Sequence, residues 1–332
     1  MDIPLKVLEK GLFCPPGEFY IDAWKPVPCS IVTHAHGDHA YWGHQLYIAT
    51  EETIRVLQLR LGNIKALPLR YDQKIKLGNA WVSLHPAGHI LGSAQVRIEI
   101  CNQITVISGD YKRAHDATCQ AFEVVECDIF ITESTFALPI YQWSSNDEIA
   151  QQITAWWKEN AQQEHPSILF GYSLGKAQRL MSLLTNHPGK ICLHGAVFSL
   201  TKLYKEMGIS LPSFSAVSEF SKGTSFAQDL IIAPPSAIGT PWMKRFPSCR
   251  TAFASGWMEV RGTRRRKALD RGFVFSDHSD WNALLQTIHE TKAKIILTTH
   301  GQASTFARYL REEKKLDARE LKGLEFTLKA ED

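Results

Sequence analysis

The sequence predicts an α/β protein whose chemistry gathers along one sheet edge, and three observations carry that expectation. Short β-branched apolar runs alternate with stretches of helical periodicity. His34, Asp110, Glu133 and His300 each stand just past the C-terminal end of such a run, where open α/β sheets place reactive groups. From about residue 140 the texture changes, which marks a second folding unit.

Taken in order, residues 31–33 read as a strand. A helix follows, with Thr50 as its N-cap and Gly62 just beyond its end. Residues 96–100 and 104–108 form a hairpin around Asn102-Gln103, and residues 129–132 form a further strand. Ser145-x-x-Glu148 is a capping box, after which Ile149, Ile153 and Trp156 recur at helical spacing. Turn-rich breaks fall at Asn186-His187-Pro188-Gly189 and Ala233-Pro234-Pro235-Ser236. Residues 273–275 read as a strand, Trp281, Leu284, Leu285 and Ile288 mark one face of a helix, and a strand follows at 295–298.

The 332 residues suffice for one large domain or two ordinary ones, and 44% apolar with 21% charged residues describes a globular protein. A net charge of +3 permits a polyanionic partner without requiring one. Cys14, Cys29, Cys101, Cys119, Cys127, Cys192 and Cys249 are odd in number and lack a C-x-x-C pair, so neither a disulfide framework nor a zinc ribbon is expected. No leader pattern opens the chain and no run of 18 apolar residues occurs, so the expected location is the cytoplasm.

The densest chemistry is Thr33-His34-Ala35-His36-Gly37-Asp38-His39. In an extended segment alternate side chains share a face, so His34 and His36 reach one ion together. Asp38 and His39 turn toward a neighbouring position, which suggests two ions. Imidazole with carboxylate suits zinc, and also manganese or iron. His89 lies between Gly88 and Gly92, which let the backbone bend, and Asp110 and His300 follow strands. Each of these three is unremarkable alone and gains weight only beside the cluster at 34–39.

Together these motifs resemble the metallo-β-lactamase fold: Asp22 after an apolar run, H-x-H-x-D-H, then His89 and Asp110. More narrowly the chain is similar to the β-CASP branch of nucleic-acid nucleases. Thr132-Glu133-Ser134-Thr135, a long insert, Ser276-Asp277-His278-Ser279-Asp280 and the final His300 carry that likeness. It runs from about Gly11 to about Leu310 and is nearest to bacterial exonucleases linked with ATP-dependent DNA ligases in DNA-damage response. The resemblance implies a four-layer αβ/βα sandwich built from residues 1–138 and 271–332, with residues 139–270 as an inserted β-CASP α/β domain. It implies two divalent ions, zinc foremost. His34, His36 and His89 would hold one; Asp38, His39 and His300 the other; Asp110 would bridge them and Asp22 would orient ligands. Asp38, Glu133 and His278 are the implied catalytic groups. A hydroxide held between two such cations attacks phosphorus in line, while His278, poised by Glu133, helps the departing oxygen or hydrogen-bonds the phosphate.

For a polyanion, the run Arg261, Arg264, Arg265, Arg266, Lys267 and Arg271 leads into the His278 motif. A charge run is usually a solvated face. Gly171 to Ala177 falls one residue short of a P-loop and lacks its hydroxyl, so nucleotide binding there is rejected. Ser173 as N-cap with Lys176 in the first turn would instead meet a phosphate. Trp24, Trp42, Trp143, Trp242 and Trp257 have the type to stack on bases, yet core packing is the commoner use. His44, His85, His115, His165, His187, His194 and His289 read as structural or surface residues.

The expected function is a metal-dependent DNA exonuclease on single-stranded ends, DNA favoured over RNA, with a functional link to a ligase and a helicase. An RNA-processing nuclease of the same branch is the first rival, favoured by His300. A small-molecule metallo-hydrolase and a non-catalytic nucleic-acid-binding module follow.

Overall fold

The computed structural model describes residues 3–185, 187–260 and 269–322. The chain divides into two compact units, one made of Met1–Tyr141 with His278–Glu331 and the other of Gln142–Asp277. Both are mixed α/β, and the described residues form three sheets.

In the first unit, strands β1 (Lys6–Leu8), β2 (Gly11–Cys14), β3 (Phe19–Ile21), β4 (Ser30–Ile31), β5 (Tyr47–Ala49) and β6 (Ala66–Pro68) pair in sequence order. The pairing is antiparallel to β3 and parallel from there on. Helix α1 (Glu51–Leu61) follows β5. Thr50 Oγ1 accepts the Thr53 N–H at its start and Gly62 ends it at φ 81°, as the sequence predicts.

The second sheet is ordered β7 (Ile75–Leu77), β8 (Ala80–Pro86), β9 (Ala94–Ile100), β10 (Gln103–Ile107), β11 (Ile129–Glu133), β18 (Ile295–Thr299) and β19 (Asp317–Glu320). The expected hairpin joins β9 and β10, but its turn is Cys101-Asn102, not Asn102-Gln103: both turn residues take positive φ, 49° and 64°. That handedness matches the twist of the flanking strands, and asparagine tolerates it well. β10, β11 and β18 run parallel side by side, so their C-terminal ends share an edge.

Alternation sets the packing. Ile129 and Ile131 of β11, with Ile295 and Leu297 of β18, face a core that also holds Phe19, Ile21, Ile31 and Ile48 of the first sheet. Phe130 and Ile296 between them face the opposite way, onto α5 (Trp281–Glu290) and α6 (Ala303–Glu312) through Trp281, Leu284, Phe306 and Leu310. Strands covered on both faces must be apolar throughout, which is why residues 129–131 and 295–297 lack polar alternation.

The second unit holds β12 (Ser167–Phe170), β13 (Ile191–Leu193), β14 (Phe214–Ala216), β15 (Leu230–Ala233), β16 (Arg250–Ala254) and β17 (Arg271–Phe273), all parallel in the order β14-β13-β15-β12-β16-β17. The strand expected at 273–275 lies two residues earlier. Helix α2 (Asn146–Gln162) begins with the predicted capping box, Ser145 and Glu148 bonding each other's backbone N–H. Helices α3 (Lys176–Leu183) and α4 (Gly195–Glu206) complete the connections. Ile149, Ile153 and Trp157 of α2 pack with Leu180 of α3 on one face of this sheet. Among the described residues, no helix is long and apolar enough to cross a membrane.

Candidate metal centre

The centre lies in the first unit and starts from Asp22. This residue sits just past β3 at φ 44°, a conformation that costs on the order of 1–3 kcal/mol for a non-glycine residue. Its carboxylate accepts from Thr33 N at 2.8 Å, Thr33 Oγ1 at 2.7 Å and His39 Nδ1 at 2.7 Å. Those bonds settle two imidazoles. Thr33 gives its hydroxyl proton to Asp22 and therefore accepts from His34 Nδ1, 3.1 Å away, which leaves His34 Nε2 with a lone pair. His39 donates through Nδ1, so its Nε2 points the other way, 3.5 Å from Asp110 Oδ2 and 3.7 Å from Asp38 Oδ2.

Asp110 is the hub. Its Oδ2 lies 3.6 Å from His34 Nε2, 3.5 Å from His39 Nε2, 3.8 Å from His89 Nε2 and 4.0 Å from His278 Nδ1. Gly109 places it there at φ 55°; a Cβ at that glycine would stand 2.8 Å from Thr33 Cβ. Gly88 does the same for His89, at φ 71° with Lys112 O only 2.2 Å from where a Cβ would be. Ser93 Oγ then caps the bend, accepting from the His89 and Ile90 N–H groups.

His36 Nδ1 lies 3.2 Å from His34 Nε2 and 3.0 Å from His89 Nε2. His300, at φ 59° past β18, stacks on His39 with ring centroids 5.1 Å apart. Two ligand groups result: His34, His36, His89 and Asp110, all buried, and His39, Asp110 and His300, with Asp38 beside His34 and His39. Glu133 ends β11 fully buried, where its Oε1 accepts the Tyr111 N–H and its Oε2 the Nδ1 of His278, each at 2.8 Å.

Burial pushes His34 well below the usual imidazole range, helped by His39 and His89, and pushes His300 down to about 4. Burial opposes charge on His39 too, but Asp110, Asp38 and Asp22 outweigh it and raise that group well above its ordinary value. Asp110 is held well below the carboxylate range because His39 and His278 overcome its desolvation. Glu133 is raised by burial, with Asp110 adding to the effect.

A metal fits these residues on two grounds. Donor atoms 3.0–3.8 Å apart have the spacing of neighbours around an ion held at about 2.0–2.1 Å. Asp38 Oδ1 and Asp110 Oδ1 are buried with no hydrogen-bond partner, a cost that a cation would relieve. Asp22→Asn is expected to weaken zinc binding about 10- to 100-fold, because an amide no longer holds His39 in the Nδ1–H tautomer. Competition against a chromogenic chelator measures it, and an unchanged affinity refutes that role for Asp22.

Thus Asp22, His34, His36, Asp38, His39, His89, Asp110, Glu133, His278 and His300, named from sequence, converge here. Thr33 was quoted in the run but given no role, and Tyr111 and Lys112 were not singled out; the last is buried, its Nζ 3.4 Å from His278 O. Adjacency to His34 and Asp110 was their sequence signal. In the second unit Ser173 is not the N-cap of α3. Gly175 is, at φ 81°, with Gln178 Oε1 accepting its N–H at 2.7 Å. Ser173 and Lys176 are buried, and Lys176 Nζ lies 3.1 Å from Asp277 Oδ1 and over the Tyr172 ring. Arg261, Arg264, Arg265, Arg266 and Lys267 lie outside the described residues, whereas Arg271 is exposed in β17.

No protein-family model matches the chain. It is similar to a protein named "Probable DNA ligase" from Opitutus terrae, 31% identical over 306 residues that make up 91% of this chain and 30% of that protein. An RNase J-like protein of Methanocaldococcus jannaschii is 24% identical over 206 residues, 54% of this chain and 49% of that one. The chain therefore spans less than half the length of either relative. A solved structure, "Crystal Structure of a Protein of Unknown Function from Enterococcus faecalis V583", shares the fold with a TM-score of 0.60 at 13% identity, covering 88% of this chain and 78% of that one. These likenesses and the motifs together support the β-CASP nuclease branch of the metallo-β-lactamase proteins, and single out no one member of it.

Proposed function

We propose that this chain is a dinuclear metal-dependent nuclease, an exonuclease on single-stranded DNA ends in bacterial cytoplasmic DNA repair. The carrying observation is Asp110, whose one carboxylate joins two histidine-rich ligand groups while His278 and Glu133 stand alongside. In this reading the first unit is the four-layer αβ/βα sandwich and the insert, residues 139–270, is the β-CASP domain. DNA as substrate and a functional link to a ligase and a helicase belong to this proposal; the relative named a probable DNA ligase is in keeping with the first and with a ligase.

In this reading His34, His36 and His89 would hold one ion and Asp38, His39 and His300 the other, with Asp110 shared between them. Zinc suits this donor set, with manganese or iron as substitutes. Bound ions supply Lewis acidity toward phosphoryl oxygens and a nucleophilic water of lowered pKa. Asp22 keeps the Nε2 lone pair of His39 aimed inward. Glu133 accepts the Nδ1 proton of His278, so Nε2 is the atom that carries a proton toward the departing oxygen. Arg261, Arg264 and Arg265 are the phosphate contacts in this reading; Ser173 and Lys176, buried and with Lys176 paired to Asp277, are withdrawn from that role.

The RNase J-like relative favours a second reading, RNA cleavage at the same centre. End-labelled single-stranded DNA, duplex DNA and matched RNA, digested with zinc, manganese and iron in turn, distinguish the two. Stepwise shortening of single-stranded DNA is the expected result. Preferential RNA cleavage selects the second reading, and intact substrates under every metal refute both.

A further inference from the structure

We infer that Tyr41 and Trp42 form a stacking site for an unpaired nucleobase beside the metal centre; this deepens the nuclease reading and rests on it. Of the five tryptophans singled out for stacking, Trp42 alone is exposed, at 64%, and Tyr41 next to it is 38% exposed; Trp81, also exposed, has the Lys76 ammonium over its ring. Their rings stack on each other, with centroids 6.3 Å apart and planes inclined by 25°. Exposing an indole forgoes the roughly 1.5–3 kcal/mol that burial of a large apolar side chain gives, and a paired exposure of this kind marks a contact surface.

The pair is held in place. Tyr47, buried in β5, donates its hydroxyl proton to Tyr41 O at 2.8 Å and accepts the His44 N–H at 3.2 Å. Gly43, at φ 90°, turns the chain immediately after Trp42. A fixed backbone lowers the ordering cost of binding. Position supplies the occupant: Trp42 follows the ligand His39 by three residues, so their Cα atoms are at most about 11 Å apart. A phosphodiester held at that centre would therefore have its neighbouring bases within a nucleotide or two of the rings. Aromatic faces accept any base without reading its edge, so the ligand class is single-stranded DNA or RNA; in a duplex the base faces are already stacked.

The test compares wild type, Trp42→Ala, Tyr41→Ala/Trp42→Ala and Trp42→Phe in the full chain. Binding of labelled oligothymidylate and of an abasic strand of equal length is read by anisotropy in chelator. Hydrolysis of oligothymidylate and of methyl p-nitrophenyl phosphate is read with metal. Trp42→Ala is expected to weaken oligothymidylate binding about 5- to 150-fold, the equivalent of a ~1–3 kcal/mol stack. The abasic strand and the small diester should be unaffected, and Trp42→Phe should restore most of the loss. Equal oligothymidylate binding by wild type and both alanine variants overturns the inference while leaving nuclease activity intact. Parallel loss of small-diester turnover, or a changed oligomeric state in sedimentation, assigns the pair to folding or to a copy-to-copy contact and overturns it too. Base-dependent binding by a wild type that degrades no strand refutes the nuclease reading alone.

Discussion

Asp110→Ala is expected to lower phosphodiester hydrolysis by on the order of 10³-fold, the equivalent of the several kcal/mol that metal-ion charge stabilisation supplies. The reason is its position. One of its carboxylate oxygens lies within 4.0 Å of His34, His39, His89 and His278 together. Removing it takes a ligand from both groups and the largest raising influence from His39. That second effect gives the variant a signature beyond lost activity. In the metal-free wild type the raised His39 holds a proton more tightly than an ordinary imidazole does, and an ion must displace that proton. Zinc affinity should therefore climb as pH rises through that elevated value, by about tenfold per pH unit where one proton is exchanged. In Asp110→Ala burial is opposed by fewer charges, His39 deprotonates at lower pH, and the climb moves to the acid side. Plasma emission measurement of bound metal, with titrations from pH 5.5 to 8.5, reads both. An active variant with wild-type metal content refutes the hub assignment.

Why this centre was legible from sequence can be seen in particular residues. His34, His36, Asp38 and His39 are neighbours in the chain, so local geometry alone brings them together. Asp110, Glu133 and His300 are not, but each follows a strand, and β10, β11 and β18 are parallel neighbours whose ends share one edge. The adjacency of β11 and β18, more than 160 residues apart in the chain, leaves no local trace; only the motif resemblance suggested it. Asp22 was legible as an orienting group but not as a triple acceptor, because Thr33 earns no notice until its hydroxyl is seen bonded. Ser173 misled for a physical reason. Serine is a better cap than glycine in isolation, yet Gly175 takes a positive φ that serine resists, and Gln178 supplies the capping oxygen. Trp42 and Trp157 are alike in sequence, and only burial separates a surface ring from one in the core.

His278→Ala is expected to lower cleavage of an unactivated phosphodiester by about 10²- to 10⁴-fold, the usual range for lost general acid catalysis. Against p-nitrophenyl esters the loss should shrink to a few-fold, since that leaving group departs without a proton. The contrast separates proton delivery from phosphate binding, which would cost both substrates alike. Glu133→Gln makes the finer test. The Glu133 carboxylate accepts from His278 Nδ1 and from Tyr111 N, so both oxygens act as acceptors. An amide can keep one of these bonds only by turning its NH₂ toward the other partner. With Tyr111 N–H satisfied, that NH₂ faces Nδ1 and forces the proton of neutral His278 onto Nε2 permanently. Imidazolium, which needs both protons, loses the negative partner that stabilises it, and the alkaline limb of the pH–rate profile, set by loss of the acid's proton, should move to lower pH with slower turnover. Fold and metal content should match wild type, because Glu133 belongs to neither ligand group. Equal losses on both ester classes, or an unshifted alkaline limb in Glu133→Gln, would leave His278 as a phosphate-binding group only.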